Sequence, residues 1–346
     1  MARQVRIGIV GLGFMGRTHF DIYAGLKNAK VVAISDIDRK KRAGDWSGIQ
    51  GNIGGPGSGP DLRNVTMYER AEDLIADPEV EVVDITLPTY LHARYAMKAL
   101  KAGKPTFCEK PMARTSAEAK KMVDAVRKAR VPLCLGHCVR FWPEYAKAKE
   151  IVDSGRHGKV LQATFVRLSP LPTYAWDRWL TDDRRSGGAA VDLHIHDADF
   201  VQYLFGKPTA VSAGAVGLSP NMPYDHVVAT YHYARRKNLL VAAEGGWMYP
   251  GTFPFNMNFR IHMEKATLVF DMAKQPTFQV HTTTGRVLTP KVAKGDGWSR
   301  ELAYYVGCIA KGRKPEIVTP QSSLLSLRIV EAELKSAKQG GKAVKI

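Results

Sequence analysis

The chain has 346 residues, of which 45% are hydrophobic, and a formal net charge of +17 at pH 7. This length and apolar content suffice for two buried cores and exclude a disordered chain. Lysine and arginine are interspersed with acidic residues and form no basic arm or stripe, so nucleic-acid binding is not predicted despite the charge. No run predicts a membrane span, and four cysteines without CxxC spacing predict reduced thiols in a cytoplasmic protein.

The first part of the chain alternates short apolar, β-branched runs with segments of helical periodicity, which is typical of parallel βαβ units. Apolar residues recur at helical spacing until Gly103 ends one of these helices, and residues 115–118 form a capping box that starts the next. Strands are predicted at residues 5–10, 31–36, 80–86, 105–108 and 131–135.

A glycine-spaced turn, GLGFMG at residues 11–16, follows the first predicted strand directly and leads into helix-compatible sequence. Gly11 permits the tight turn, Gly13 lets the backbone approach a pyrophosphate, and Gly16 lets the helix pack on its strand. Asp36 ends the second predicted strand, at the spacing of an acid that binds the adenosine ribose hydroxyls. The sequence therefore predicts a Rossmann dinucleotide-binding domain over residues 1–125, with NAD as the cofactor.

NADP is the alternative cofactor. A 2′-phosphate would be repelled by Asp36, but the basic run at residues 39–42 could compensate that repulsion. We interpret this run as a solvated helix face. The glycine-rich stretch at residues 44–60 is predicted to be an exposed, mobile loop that replaces most of the second helix. A tolerated insertion is favoured over a lid near the adenosine half of the cofactor.

Residues 126–346 have a different pattern. After a predicted helix at 144–153, period-2 strands dominate and several are linked by short turns, which predicts an α+β domain with a large open, mainly antiparallel sheet. Apolar residues on one face are expected to meet helices. The other face, to which we assign Tyr231, Tyr233 and Trp247, is expected to meet a second subunit. The strands are predicted at 161–168, 210–218, 227–233, 239–247, 255–263 and 267–270.

Lys110 is a candidate catalytic residue because Glu109-Lys110-Pro111 follows a predicted parallel strand, at the sheet edge where ligands bind in open α/β folds. A lysine there can hydrogen-bond a substrate oxygen and stabilise developing negative charge. An ordinary loop lysine is the alternative. Pro111 predicts a rigid or cis peptide that fixes the direction of the lysine.

A second polar group lies at residues 187–199, where GGAAVDLHIHDAD opens a predicted helix. On a helix Asp192, His196 and Asp199 share one face, while His194 points elsewhere. The imidazoles of His194 and His196 then diverge, so no metal site is predicted. His196 can accept a hydroxyl proton and Asp192 can orient and stabilise it. The alternative is that both residues only cap or cross-link the helix start.

Taken together, these motifs resemble those of the Gfo/Idh/MocA oxidoreductases. They are the glycine turn, Asp36, the LPTYLH segment at 87–92, the EKP triplet at 109–111 and a GG(x3)D(x3)H pattern ending at His196. The resemblance runs the length of the chain. It implies an N-terminal Rossmann domain, a C-terminal domain whose open sheet is often used for oligomerisation, and a nicotinamide cofactor in the cleft between them.

The same resemblance implies an oxidoreductase that transfers a hydride between NAD(H) and a secondary alcohol or ketone of a sugar, polyol or cyclitol such as inositol. Lys110, Asp192 and His196 would be its catalytic residues, with His196 taking the hydroxyl proton and Lys110 holding the oxygen. Besides Gly11, Gly13, Gly16, Asp36 and Lys110, the implied cofactor contacts are Phe14, Met15, Thr86, Pro88, His92 and Glu109. Besides Asp192 and His196, the implied substrate contacts are Arg140, Tyr174 and Trp176.

Several alternatives stay open. A redox-neutral lyase or glycosidase that uses tightly bound NAD transiently would have the same residues. A non-catalytic dinucleotide sensor would not need Lys110, Asp192 and His196 together. Ordinary packing accounts equally well for Tyr174 and Trp176. The expected partners are a small sugar or polyol and further copies of the chain, in a dimer or tetramer formed through the C-terminal sheet.

Overall fold

The computed structural model describes residues 3–51, 59–218 and 222–346. Its contacts divide the chain into two compact units. The first unit contains Met1–Cys138, Tyr174–Trp179 and Trp298–Leu324, and the second contains Val139–Thr173, Leu180–Gly297 and Leu325–Ile346. The domain boundary after residue 125 stays a prediction. In the structure, residue 125 lies inside a helix, and the strand that follows this helix still belongs to the first sheet.

The regular elements follow one another in the chain order expected for βαβ units and then for a strand-rich domain. The strands are β1 (Val5–Val10), β2 (Ala29–Ser35), β3 (Thr66–Tyr68), β4 (Val82–Ile85), β5 (Thr106–Cys108), β6 (Leu133–Leu135), β7 (Val160–Pro170), β8 (Ala210–Val216), β9 (His226–His232), β10 (Leu240–Tyr249), β11 (Asn256–Met263), β12 (Ala266–Asp271), β13 (Phe278–Thr282), β14 (Val287–Leu288) and β15 (Val344–Lys345). The α-helices are α1 (Phe14–Gly25), α2 (Arg39–Arg42), α3 (Ala71–Ala76), α4 (Thr89–Lys101), α5 (Ser116–Ala129), α6 (Pro143–Asp153), α7 (Asp183–Ser186), α8 (Ile195–Phe205), α9 (Gly297–Ala310) and α10 (Pro320–Lys338).

The first unit is built on a parallel sheet. Within the described residues, its strand order is β3-β2-β1-β4-β5-β6. This is the Rossmann order, in which the chain reverses direction across the sheet between β1 and β4, and ligands bind beyond the carboxyl ends of the strands there. The five predicted strands of this unit are confirmed. The prediction missed β3, because its Thr66 and Met67 are exposed and form no apolar run.

Helix ends in the first unit follow the sequence signals. The Thr115 hydroxyl accepts the N–H of Glu118, and the Glu118 carboxylate accepts the N–H of Thr115, so the predicted capping box starts α5. Gly103 has a φ of 74° just after α4, a left-handed conformation that glycine adopts without strain.

The glycine-rich stretch at 44–60 is only partly as predicted. The second helix is indeed short, since α2 has four residues, and half of the residues from 44 to 51 are exposed. Trp46, however, is 3% exposed: its ring lies edge-on to Phe20, and its indole N–H donates to the Lys41 carbonyl. This part of the stretch is therefore anchored by an aromatic core contact. Residues 52–58 of the predicted loop lie outside the described part of the chain.

A mixed, mostly antiparallel sheet forms the second unit. In the described residues the strand order is β14-β13-β12-β11-β7-β10-β9-β8-β15, and only the β7–β10 pair is parallel. The predicted open, mainly antiparallel sheet is confirmed. The assignment of Tyr231, Tyr233 and Trp247 to the outer face is wrong, because Tyr231 and Trp247 are buried and the Tyr233 ring packs edge-on against Phe205 of α8. Tyr231 has the same alternation as buried Val227 and Ala229, which places it on the core side.

Helix α8 packs on the buried face of this sheet through aromatic and ionic contacts. Phe200 lies against Phe165 of β7, with ring centroids 5.7 Å apart. Asp197, in the first turn of α8, accepts from the Arg167 guanidinium of β7 at 2.7 and 3.2 Å, and both side chains are almost fully buried. The ion pair ties the start of α8 to the central strand of the sheet.

We expect Arg167→Met to lower the free energy of unfolding by about 3–5 kcal/mol, because it leaves Asp197 as a buried carboxylate without its cation. Adding Asp197→Leu should recover most of this loss, since an apolar pair of similar volume needs no charge compensation. Arg127→Met is the control: the Arg127–Asp124 pair is exposed, so the change should stay within about 1 kcal/mol. Urea denaturation followed by tryptophan fluorescence measures all three. Equal losses of unfolding free energy in Arg167→Met and Arg127→Met would contradict the conclusion that the buried Arg167–Asp197 pair ties α8 to the sheet.

Candidate functional site

The glycine turn between β1 and α1 has the backbone geometry that a dinucleotide requires. Gly11 has a φ of 98°, which favours glycine. A Cβ on Gly16 would lie 1.9 Å from the Gly11 carbonyl oxygen, so only glycine lets α1 start this close to the turn. A Cβ on Gly13, in contrast, would meet nothing within 4 Å. The open space beside Gly13 lies at the N-terminus of α1, where a pyrophosphate binds in this kind of turn.

Asp36 is held against the same turn. Its Oδ2 accepts the Leu12 N–H at 2.7 Å, and its Oδ1 accepts the Asp38 N–H at 2.8 Å. These hydrogen bonds fix the carboxylate at the carboxyl end of β2, next to the glycine turn. The predicted basic run forms helix α2, in which Arg39 and Lys40 are exposed, while Arg42 donates to the Asp36 carbonyl and pairs with Glu69. The residues present therefore fit the adenosine ribose of a dinucleotide without a 2′-phosphate.

Thr86, Pro88 and His92 lie at the carboxyl end of β4 and the start of α4. The Thr86 hydroxyl donates to the Gly11 carbonyl at 2.7 Å and so joins β4 to the glycine turn. Pro88 is the N-cap residue of α4. Buried His92 has its Nδ1 2.8 Å from the Pro111 carbonyl and its Nε2 2.6 Å from the Leu87 carbonyl. His92 thereby braces the segments that follow β4 and β5.

Phe14 and Met15, the apolar residues between Gly13 and Gly16 of the turn, are half-exposed. The Phe14 ring lies edge-on to Trp298, with centroids 6.3 Å apart. A Cβ on Gly51 would come within 2.1 Å of the Phe14 ring, so residue 51 passes close over it. Phe14 is thus packed on two sides within the first unit.

Glu109 and Lys110 follow β5 directly. Glu109 is buried and its Oε2 accepts the backbone N–H of Lys110 at 2.9 Å, whereas Lys110 is half-exposed. The Lys110–Pro111 peptide is cis, as the sequence suggested. Lys110 therefore stands at the carboxyl edge of the parallel sheet on a backbone segment held by its neighbour.

Two residues that the sequence analysis did not select complete this part of the site. His19 of α1 is fully buried between two carboxylates, with Nδ1 2.8 Å from Asp84 Oδ2 and Nε2 3.1 Å from Glu109 Oε1. Burial alone would lower the pKa of His19, but the two carboxylates outweigh it and raise the pKa to about 10. The signal in the sequence was Asp84, a charged residue inside the apolar run at 80–86.

In the second unit, Asp192 and His196 lie on consecutive helical segments. Residues Ala190–His194 form a π-helical turn that leads into α8, where an ordinary α-helix was predicted. Gly187, with a φ of 87°, ends α7 immediately before it. Asp192 is half-buried and His196 is 9% exposed. Single π-turns inside helices are often found at functional sites.

His194 points away from this pair, as predicted. Its Nε2 is 3.0 Å from Glu333 Oε2, and both side chains are completely buried. Burial alone would lower the pKa of His194, but the Glu333 carboxylate outweighs it and raises the pKa. A Cβ on Gly245 of β10 would come within 2.8 Å of the His194 ring, so the glycine allows the imidazole to pack against the strand.

The three predicted substrate contacts have different surroundings. Arg140 is buried and forms a two-pronged ion pair with Asp199 of α8, at 2.7 and 2.8 Å, beneath the Tyr203 ring. Tyr174 is half-buried and Trp176 is 50% exposed, and both belong to the first unit. Asp199, which shares the predicted helix face with His196, thus serves Arg140. The substrate roles of the three residues stay predictions.

In residues 3–51, 59–218 and 222–346, no group of three His, Cys, Asp or Glu side chains is arranged to hold a metal ion. Over the same ranges no helix has the length and apolar character needed to cross a bilayer. The four cysteines are free thiols, three of them buried and Cys308 half-buried.

The fold and the glycine turn define a protein with a dinucleotide-binding Rossmann domain and a second, sheet-based domain. Residues 5–137 match the family model described as the oxidoreductase family, NAD-binding Rossmann fold. Residues 145–269 match the model of the GFO/IDH/MocA C-terminal domain. Both models describe parts of one family, so the chain belongs to the GFO/IDH/MocA oxidoreductases, and its first unit contains their NAD-binding domain.

Individual relatives are similar over different lengths. A myo-inositol 2-dehydrogenase of Thermotoga maritima is 32% identical over 59% of this chain and 55% of its own length. An inositol 2-dehydrogenase of Rhizobium meliloti is 24% identical over 96% of both chains. The structure of a levoglucosan dehydrogenase in complex with NADH and levoglucosan has the same fold, with a TM-score of 0.83, 23% identity and coverage of 99% of this chain and 100% of that chain. The chain spans 55–60% of the length of the first curated relatives that it matches.

We expect Gly13→Ala to weaken NAD binding at least about tenfold, because the added methyl group would occupy the open space at the start of α1 that the pyrophosphate needs. The free energy of unfolding should change by no more than about 1 kcal/mol, since nothing in the protein meets that methyl group. Calorimetric titration with NAD and urea denaturation measure the two effects. Gly25→Ala is the matched control, because it has equally open surroundings at the other end of α1. Unchanged affinity in Gly13→Ala would contradict the predicted pyrophosphate position.

Proposed function

We propose that the protein is an NAD-dependent oxidoreductase that transfers a hydride between NAD(H) and a secondary alcohol or ketone of a sugar, polyol or cyclitol. The observation that carries this proposal is half-exposed Lys110, at the carboxyl edge of the sheet whose β1–α1 turn fits a dinucleotide. Family membership supports it. So do the names of the relatives, which are dehydrogenases of inositols and of levoglucosan.

Three side chains are assigned to the chemistry. Lys110 donates a hydrogen bond to the reacting oxygen of the substrate and stabilises negative charge on it. His196 takes the hydroxyl proton when the alcohol is oxidised and returns it when the ketone is reduced. Asp192 orients His196 and stabilises its charged form. When bound, the nicotinamide ring supplies the hydride acceptor or donor at its C4.

NAD is preferred to NADP on the geometry of Asp36. The carboxylate is held beside the glycine turn by the N–H groups of Leu12 and Asp38, so it cannot readily turn away from a 2′-phosphate. Arg42, a cation of the basic run, donates to the Asp36 carbonyl and to Glu69. The remaining assigned cofactor contacts, which include Phe14, Met15 and Glu109, belong to the same proposal.

The assigned substrate contacts include Arg140, Tyr174 and Trp176. Exposed Trp176 and half-buried Tyr174 offer aromatic faces of the kind on which sugar rings stack. Arg140 forms an ion pair with Asp199, so it would contact the substrate while it keeps this ion pair.

We expect Lys110→Ala and His196→Ala each to lower kcat by about 10²–10⁴-fold, because both residues act on the substrate oxygen and its proton. NAD affinity should change little in His196→Ala, since only Lys110 is also an assigned cofactor contact. Purified protein is mixed with NAD or NADP and a panel of inositols, aldoses and sugar derivatives, and the absorbance of the reduced cofactor is followed. Lys101→Ala and His281→Ala, at exposed positions, are the matched controls.

The outcomes separate the candidate functions. Steady accumulation of NADH with a polyol or sugar supports the dehydrogenase. Turnover of a glycoside without net change of cofactor would instead identify a redox-neutral enzyme, and NAD binding without turnover of any substrate would identify a sensor. Full activity in Lys110→Ala would overturn the assignment of the catalytic lysine.

The outward face of the second sheet is proposed to form a homo-oligomer. Apolar side chains stand exposed on this unit, among them Val228 at 47% and Leu240 at 59% exposed, and surfaces of this kind mark contacts between subunits. We expect light scattering to give a dimer or tetramer, and Val228→Glu with Leu240→Glu to shift it toward the monomer of 38.2 kDa. Lys237→Glu, in the exposed β9–β10 turn, is the control. A wild-type protein that is monomeric at micromolar concentration would contradict the proposal.

A further inference from the structure

A chain of buried polar contacts joins helix α1 to the backbone of Lys110. Asp84 of β4 contacts one ring nitrogen of His19, and Glu109 contacts the other. The second oxygen of Glu109 accepts the Lys110 N–H. We call Asp84, His19 and Glu109 the histidine bridge. It connects the helix that begins at the dinucleotide turn with the segment that carries the candidate catalytic lysine.

The geometry of the bridge favours a positively charged ring. Both nitrogens of His19 face carboxylate oxygens at hydrogen-bonding distance, and an imidazole satisfies two acceptors only when both nitrogens carry hydrogen. The pKa values agree with this. That of His19 is raised to about 10, and that of Glu109 is lowered, because His19 and Lys110 outweigh the effect of its burial. One cation thus lies between two buried anions.

The bridge is enclosed on its other sides. A Cβ on Gly136, which follows β6, would come within 2.9 Å of Glu109 Cδ and both carboxylate oxygens, so the glycine leaves only the room that the carboxylate needs. The rings of Phe107 and Tyr23 lie edge-on to His19, at 5.5 and 6.3 Å. The titratable groups that interact with Asp84 include Tyr23, Cys108 and, from α9, Tyr305, and Glu301 of α9 interacts with Tyr23.

Stability alone does not account for this arrangement. Three buried charges cost desolvation energy, and apolar residues of similar volume would fold as well or better. Buried ionic groups of this kind are instead typical of sites where a neighbouring reactive group has to be oriented. The chain of contacts ends at the backbone of Lys110, whose side chain is half-exposed at the sheet edge.

We propose that His19 is a positioning residue: as an imidazolium it keeps Glu109 ionised and oriented, so that Glu109 holds the backbone of Lys110 where the lysine can reach the substrate oxygen. The inference rests on the function proposed for Lys110. His19 itself touches neither substrate nor cofactor in this role. Its effect is passed on through the Glu109 carboxylate and one backbone hydrogen bond.

The test compares two amides of similar size at residue 19. The side-chain nitrogen of His19→Gln can take the place of Nε2 and donate to Glu109, whereas that of His19→Asn takes the place of Nδ1 and reaches only Asp84. We expect His19→Asn to lower kcat about 10–100-fold relative to His19→Gln, with the KM for NAD within about twofold in both. Equal kcat values in the two variants, at equal unfolding midpoints, would overturn the proposal.

Two NMR measurements do not depend on activity. The ring of His19 in the wild-type protein, assigned by its absence in His19→Gln, should remain protonated through pH 8, and a neutral ring would overturn the proposal. The Lys110 amide proton should move further upfield in His19→Asn than in His19→Gln, because both amides lose the positive charge but only the asparagine also loses the hydrogen bond to Glu109. An unmoved Lys110 amide in His19→Asn would also overturn it.

A second substitution covers the case in which variants of His19 do not fold. Gly136→Ala places a methyl group within 2.9 Å of the Glu109 carboxylate, and should lower kcat at least about tenfold without removing a charge. Gly25→Ala, in open surroundings, is its control, and the same kcat in both would contradict the proposal. If wild-type protein reduces NAD with none of the substrates, the proposed function fails, while the NMR measurements still decide whether His19 holds the Lys110 segment.

Discussion

The contact between Gly16 and the Gly11 carbonyl is the constraint on which the rest of the first unit depends. With a Cβ only 1.9 Å from that oxygen, any other residue would push α1 away from the turn. Because α1 starts so close, its N-terminus opens beside Gly13, and His19 reaches Asp84 one strand away. Thr86 ties the same turn to β4. The lack of a side chain at Gly16 thus sets the position of both the predicted phosphate site and the histidine bridge.

In the second unit, helix α8 carries several polar residues and still packs against the apolar face of a sheet. Two buried arginines hold it there: Arg167 of β7 pairs with Asp197, and Arg140 pairs with Asp199. Both acids lie on α8, so the helix is fixed in rotation as well as in position. The π-helical turn before α8 carries Asp192, and His194 beside it is buried against Glu333. The candidate proton acceptor His196 therefore lies on a helix whose position is fixed by two buried ion pairs.

Local signals were read correctly where they depend on a few neighbouring residues. The glycine turn, the capping box at Thr115 and the predicted strands of the first sheet need only spacing and residue type. The prediction was wrong where a side chain's surroundings come from distant segments. Tyr231 and Trp247 were assigned to the outer face, yet both are buried, and Trp46 is buried within a stretch that its glycines marked as exposed. The exposed strand β3 has no apolar run to reveal it.

The sequence by itself determined the class of protein, because the spacing of glycines, of Asp36 and of the EKP triplet follows from backbone geometry and chemistry that act over short distances along the chain. It also determined that one unit is a parallel α/β sheet and the other mainly antiparallel. Only the tertiary structure decided which charges meet. Asp84, His19 and Glu109 are separated by 65 and 90 residues, and Arg140 and Asp199 by 59. Such pairs form because parallel strands and packed helices bring residues that are far apart in the sequence into contact. A local sequence pattern does not predict which of these residues will face each other.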